Sequence, residues 1–250
     1  MTIKISGNGS RVIVWLHGFC LSSEIWDECL PHFEGYRNIC IDLPGFGDSP
    51  LTYFSDLVDL SEQIFHRLRN EKIGEAIFIG HSLGGYLCME FARQHPDFCD
   101  ALILFHSNPF SDSAQRKHIR QVYLDAFSRF GGDFFLKNFH EQLFYQNLPE
   151  RTKKLKDKHR EISVETLEVY TSAMKERKGY LDVLTSELPK LIIAGAFDKA
   201  ITNQEYLQAY ERSENGQLMV LANSAHMGMM EESDTASQAI LDFVNNKVAR

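Results

Sequence analysis

Short runs of apolar residues punctuate the chain at positions 11–16, 38–41, 76–79, 101–105, 191–194 and 218–221, each rich in Ile, Val, Leu or Phe. Within each run the apolarity is continuous rather than alternating. That pattern predicts strands buried on both faces, as in a parallel sheet. The longer segments between them carry helical spacing. Over 22–33, Ile25, Cys29, Leu30 and Phe33 fall on one side, and over 56–70 Leu57, Leu60, Ile64 and Leu68 do the same. Similar stripes run over 83–94 and 234–248. Strand alternating with helix predicts an α/β fold, a mostly parallel doubly wound sheet with right-handed crossovers. Positions 2–5 are expected to add a short strand at the sheet edge.

The alternation stops between Phe110 and Glu187. No buried strand is legible there, and helical patterns occupy 113–130, 133–144, 150–159 and 163–178, punctuated by Gly131-Gly132 and Pro149. The expected organisation is a core of residues 1–109 and 188–250 carrying a helical insertion, residues 110–187. No internal repeat or low-complexity segment is present.

Composition narrows the function classes. The 250 residues are 44% hydrophobic, enough for a substantial core, and carry a formal net charge of −8. An acidic balance argues against nucleic acid, whose phosphates require a concentrated basic face. The basic stretch 151–160 also contains Asp157 and reads as a solvated helix face. The five cysteines, Cys20, Cys29, Cys40, Cys88 and Cys99, are odd in number and include no C-x-x-C pair. A reducing compartment is therefore expected. Residues 1–9 lack the apolar run of a signal peptide, and no stretch approaches a membrane span, so a cytoplasmic protein with no membrane partner is expected. Neither a metal-ligand cluster nor a phosphate-cradling loop is visible, so no cofactor and no metal are implied. Oligomeric state is not legible.

The chemistry concentrates in Gly80-His81-Ser82-Leu83-Gly84-Gly85. It follows the expected strand 76–79 and opens the expected helix 83–94, the strand–turn–helix setting of a nucleophile elbow. A serine there sits in a tight turn, and the flanking glycines let neighbouring backbone approach closely. A serine hydroxyl needs an adjacent base. His226, in the loop after strand 218–221, fits that role. Asp198, in the loop after strand 191–194, is placed to fix its tautomer, while Asp112 and Asp182 follow no core strand. After strand 11–16, His17-Gly18-Phe19 turns a backbone N–H toward the serine. The N–H groups of Phe19 and Leu83 form the expected oxyanion hole. His17 itself reads as a loop-stapling residue.

Together with Asp42-Leu43-Pro44-Gly45-Phe46-Gly47-Asp48-Ser49, these motifs resemble the α/β-hydrolase superfamily over essentially the whole chain. The Asp42–Ser49 loop is similar to that of the lid-bearing branch with carboxylesterases, enol-lactonases, carbon–carbon bond hydrolases and the menaquinone-pathway lyase. The resemblance implies that this loop is structural. It also implies that residues 110–187 are a lid after the sixth strand of the standard sheet, with the first strands reduced. Serine at the elbow argues against the epoxide hydrolase and haloalkane dehalogenase branches, which use Asp. The expected activity is hydrolysis of a small or medium ester, thioester or lactone with an apolar acyl group. His106 and Met227 are expected at the substrate pocket. A carbon–carbon hydrolase or lyase using the same triad, and a non-catalytic ligand-binding protein, stay open as alternatives.

Overall fold

The computed structural model describes residues 1–146, 148–159 and 162–248. Every expected strand forms: β1 (Thr2–Ser6), β2 (Val12–Leu16), β3 (Arg37–Asp42), β4 (Ala76–His81), β5 (Cys99–Phe105), β6 (Lys190–Gly195) and β7 (Gly216–Leu221). They build one seven-stranded sheet in the order β1-β3-β2-β4-β5-β6-β7. All neighbours are parallel except β1, which lies antiparallel to β3 at the edge. Continuous apolarity has the expected consequence. Val14 and Leu16 of β2 face one buried cluster, and Ile13 and Trp15 face another on the opposite side.

Helices cover both faces. The first face receives α1 (Leu57–Asn70), through Leu57, Leu60 and Ile64, and α2 (Leu83–Gln94), through Leu83, Leu87 and Phe91. The Asp56 side chain caps α1 by accepting from Asp59 N at 2.9 Å. Between β5 and β6 lie α3 (Ala114–Phe130), α4 (Asp133–Phe139), α5 (Pro149–His159), α6 (Val164–Glu176) and the single turn α7 (Leu181–Leu184). The excursion leaves the sheet intact, because β5 and β6 pair directly, Leu102 opposite Lys190 through Phe105 opposite Ile193. In the basic stretch, Arg151 and Lys156 of α5 pair with Glu28 and Glu141 at 2.8 and 2.5 Å; Arg160 lies outside the described residues. The C-terminal part adds α8 (Asn203–Glu211) on the first face, the turn α9 (Gly228–Glu231), and α10 (Ser233–Lys247), whose Ile240, Phe243 and Val244 cover the second face.

One expected element differs. Residues 22–33 form two short 3₁₀ turns, Ser23–Trp26 and Leu30–Phe33, rather than a helix. Pro31 lacks an N–H and clashes with the preceding turn, so an α-helix cannot run through it. The apolar stripe survives the change, and Ile25, Trp26, Cys29 and Phe33 are all buried under the second face.

Candidate active site

The carboxyl ends of β2, β4, β5, β6 and β7 bring the candidate residues together, where ligands bind in open α/β sheets. Ser82 stands between β4 and α2 at φ 51°, ψ −111°. A side chain with positive φ is strained, and the surroundings hold it there. Ser82 N donates to Phe105 O at 3.0 Å, and Ser82 O accepts from Gly85 N at 3.0 Å and from Ser107 Oγ at 2.8 Å. The glycines are required by close approach. A Cβ on Gly80 would sit 2.4 Å from the Gly84 carbonyl, and one on Gly84 would sit 2.4 Å from Leu16 O. The turn is tight because α2 lies directly against β2 and β4.

His226 Nδ1 donates to Asp198 Oδ2 at 2.7 Å, joining the two loops that sequence reasoning placed side by side. Asp198 is held from every direction. Its Oδ1 accepts from Ala200 N at 2.8 Å and Ile201 N at 3.1 Å, and its Oδ2 also accepts from Tyr206 Oη at 2.5 Å. Burial alone would raise its pKa. The His226 ring, both through its charge and through its hydrogen bond, outweighs burial, and His106 and Tyr206 add to it; the carboxyl is held well below the usual range. Asp198 is therefore ionised at neutral pH and fixes His226 with Nδ1 protonated, leaving Nε2 as the basic nitrogen. Tyr206, pushed well up by burial and the neighbouring carboxylate, remains a neutral donor. Ser82 and His226 line a common cavity of about 180 Å³. Among the described residues no hydrogen bond joins the Ser82 side chain to the His226 ring.

The backbone N–H groups of Phe19 and Leu83 donate to no partner among the described residues. Leu83 opens α2, whose first N–H groups are unpaired by construction. The loop carrying Phe19 is pinned by His17, which donates from Nδ1 to Gly18 O at 2.8 Å and accepts at Nε2 from Leu43 N at 2.9 Å. His17 thus staples the β2 loop to the loop after β3. Asp42 holds that second loop from inside, accepting from Ser23 N at 2.7 Å and Asp48 N at 3.1 Å.

Two expected pocket residues stand elsewhere. His106, at φ 47°, is fully buried behind the Asp198–His226 pair. It accepts from Gly228 N at 2.9 Å and lies 3.7 Å from Asp198 Oδ2, and it is not on the cavity wall. Met227 is fully buried in the second-face core. His106 directly follows β5, and Met227 lies just before α9, packed in the second-face core, so neither side chain reaches the opening. Conversely, Asp112, Arg116 and Arg120 do line the cavity. Asp112 contacts Arg177 and Arg120 rather than His226. Asp182 pairs with Arg93 at 2.6 Å. In the sequence Arg116 and Arg120 stand four positions apart, which puts them on one face of α3 but does not say whether that face meets a cavity or solvent. Among the described residues, no group of three or more His, Cys, Asp or Glu side chains could hold a metal ion, and no helix is long and apolar enough to cross a membrane.

Known proteins resemble this chain along nearly its full length. A pimeloyl-[acyl-carrier protein] methyl ester esterase of Yersinia enterocolitica is 26% identical over 255 residues, covering 96% of this chain and 95% of its own. Its namesake in Sodalis glossinidius is 26% identical over 252 residues, covering 96% of both. Among solved structures, a thermophilic esterase from Thermogutta terrifontis superposes with a TM-score of 0.91 at 23% identity, over 99% of this chain and 94% of its own. An enol-lactonase from Burkholderia xenovorans LB400 superposes with a TM-score of 0.88 at 18% identity, over 98% and 96% of the two chains. At such identities the superpositions establish the fold. A family model described as alpha/beta hydrolase fold matches residues 11–233, a span that runs from the start of β2 past His226 and includes the elbow at Ser82. The chain belongs to the alpha/beta hydrolase fold family.

Proposed function

We propose that this protein is a serine esterase that cleaves a small or medium carboxylic ester through an acyl-enzyme on Ser82. The observation that carries the reading is the strained serine at φ 51° sharing a cavity with a histidine locked 2.7 Å from a buried, ionised aspartate. The names of the curated relatives support a carboxylic ester as the bond broken.

In this mechanism His226 Nε2 takes the Ser82 proton as Oγ attacks the ester carbonyl. The developing oxyanion is met by the N–H groups of Phe19 and Leu83, with about 10²–10³-fold in rate at stake for each donor. Asp198 stabilises the imidazolium, which then protonates the departing alkoxide. Water, activated by the same ring, releases the acid and restores Ser82. Residues 110–187 act as the cap over this site, since Phe139, Leu143 and Met174 from that segment face Ser82 across the cavity. The substrate is a small molecule, met in the cytoplasm, and no cofactor takes part.

Ser82→Ala is expected to abolish both the product burst from p-nitrophenyl butyrate and labelling by a fluorophosphonate, with the circular dichroism spectrum retained. Undiminished turnover in that variant would sink the assignment.

A further inference from the structure

The cavity beside Ser82 is not the apolar slot that a simple acyl chain calls for. Phe19, Leu21, Phe139, Leu143 and Met174 supply apolar wall, but Arg116 and Arg120 stand in the same wall. Desolvating a guanidinium is costly unless an anion answers it. The anions present answer only part of the charge. Asp112 and Glu205 face Arg116, Arg120 and Arg177, so two carboxylates meet three guanidiniums and one positive charge remains.

The pairing shows which arginine carries the surplus. Arg177 lies off the cavity wall: its side chain and that of Asp112 are each 1% exposed, Nη1 donates to Asp112 and to Met174 O, Nη2 donates to Phe110 O, the guanidinium stacks 3.9 Å over Tyr86, and only its buried Nε lacks a partner. Arg116 is closed, with Nη1 and Nη2 both on Glu205 and Nη2 also on Ala200 O. Arg120 is different. Its Nε donates to Asp112, a carboxylate already matched by Arg177, and its Nη1 faces only the weak acceptor Met174 Sδ at 3.6 Å. Among the described residues Nη2 has no hydrogen-bond partner, and it is this open nitrogen rather than exposure that sets Arg120 apart, since its side chain is 21% exposed and that of Arg116 30%. A positive charge is thus left open on the cavity wall of a chain whose net charge is −8.

Resting on the esterase reading above, we propose that Arg120 anchors an anionic group of the substrate, which is a short ester bearing a carboxylate at the end remote from the scissile bond, a hemiester of a dicarboxylic acid. The apolar wall then takes the intervening methylenes. A cavity of about 180 Å³ suits a chain of a few carbons, being smaller than the roughly 300–1,000 Å³ of drug-sized sites.

The test compares mono-p-nitrophenyl glutarate with p-nitrophenyl pentanoate, which differ by a carboxylate in place of a methyl. Arg120→Gln is expected to lower the ratio of their kcat/KM values by about 10- to 100-fold, chiefly through KM, the range for one charge-assisted contact. Arg120→Lys, which keeps the charge without the fork, should fall between. A ratio unchanged by Arg120→Gln overturns the proposal. A binding arm needs no turnover and no Arg120 variant. In Ser82→Ala protein, monomethyl glutarate should raise the melting temperature and dimethyl glutarate should not; equal effects overturn the proposal even if Arg120→Gln fails to fold. If neither ester is hydrolysed by the wild type, the esterase reading falls, and the binding arm still decides the anion subsite.

Discussion

Acidification should destabilise this protein through its buried histidines before its carboxylates respond. His17, His81 and His106 are at most 1% exposed. Burial pushes His17 down to about 4 and His106 to about 3, and drives His81 well below the ordinary imidazole value. Hydrogen bonding gives the same answer independently. Nε2 of His17 accepts from Leu43 N, and Nε2 of His106 accepts from Gly228 N, so protonation there would set N–H against N–H. His81 donates from Nε2 to His226 O at 2.8 Å, while its Nδ1 is buried without a partner. In the unfolded chain each ring titrates near 6.5. The folded values lie below that, so the unfolded state binds more protons as pH falls. The stabilisation is complete above about pH 6.5 and is lost progressively toward the folded values, at about 1.4 kcal/mol per ring per pH unit. Between pH 7.5 and 5.5 that amounts to about 1.4 kcal/mol for each ring and about 4 kcal/mol for the three together. Against a typical total of about 5–15 kcal/mol the loss is large. Asp42, Asp112 and Asp198, all held below the usual carboxylate range, lose their contributions only as pH falls below about 4, outside this window. Urea unfolding followed by tryptophan fluorescence at a series of pH values reads the effect directly. The midpoint should fall steadily below pH 6.5, and the thermal midpoint should drop by about 10 °C at pH 5.5. A midpoint flat between pH 7.5 and 5.5 would refute the claim that these rings are neutral and buried.

Two further outcomes are expected. Asp198→Asn keeps the shape of the loop but lets His226 take the wrong tautomer, so kcat should fall by about 10³–10⁴-fold with the far-ultraviolet spectrum unchanged; equal activity would remove Asp198 from the mechanism. Gly84→Ala places a Cβ 2.4 Å from Leu16 O, a backbone atom that cannot swing away. It should cost at least about 1–3 kcal/mol of stability in urea titration, whereas a neutral result would mean that α2 does not pack on β2 as closely as described.

The strands and the positions of Ser82, Asp198 and His226 at their ends were legible for a common reason. A strand buried on both faces must be apolar at every position, and the run ends where the chain reaches the rim of the sheet. Gly80–Gly85, Asp198 and His226 each follow such an end, so locating the strands located the loops. The same logic says where a loop residue begins, not where its side chain points. His106 follows β5 as directly as Ser82 follows β4 and shares its positive φ, yet its ring lies behind Asp198 rather than in the cavity. Residues 22–33 erred for a different reason. Their apolar spacing satisfies a helix and a pair of 3₁₀ turns equally well, and Pro31 decides between them.

The cavity wall exposes a limit of periodicity itself. Reading a helix by its apolar stripe assumes that polar positions face water. That holds for α1 and α10, which each bury one stripe against the sheet, while α2 is buried all round from Leu83 to Ala92. In α3 it does not. Phe127 is the residue that α3 buries fully, while Arg116 and Arg120, a turn apart on one face, stand over the cavity. A stripe of arginines facing a small enclosed space has the same sequence signature as one facing solvent. What separates the two is the partner carboxylates, and these come from Asp112, before α3, and from Glu205 in α8, 89 positions downstream of Arg116. No local pattern carries a pairing across that distance. Ser82 and His226 could be placed at strand ends because the sheet repeats a rule. The polar wall opposite them could not, because it is assembled from segments that meet only after the chain has folded, and that wall is where an ester bearing a charge would be told apart from one without.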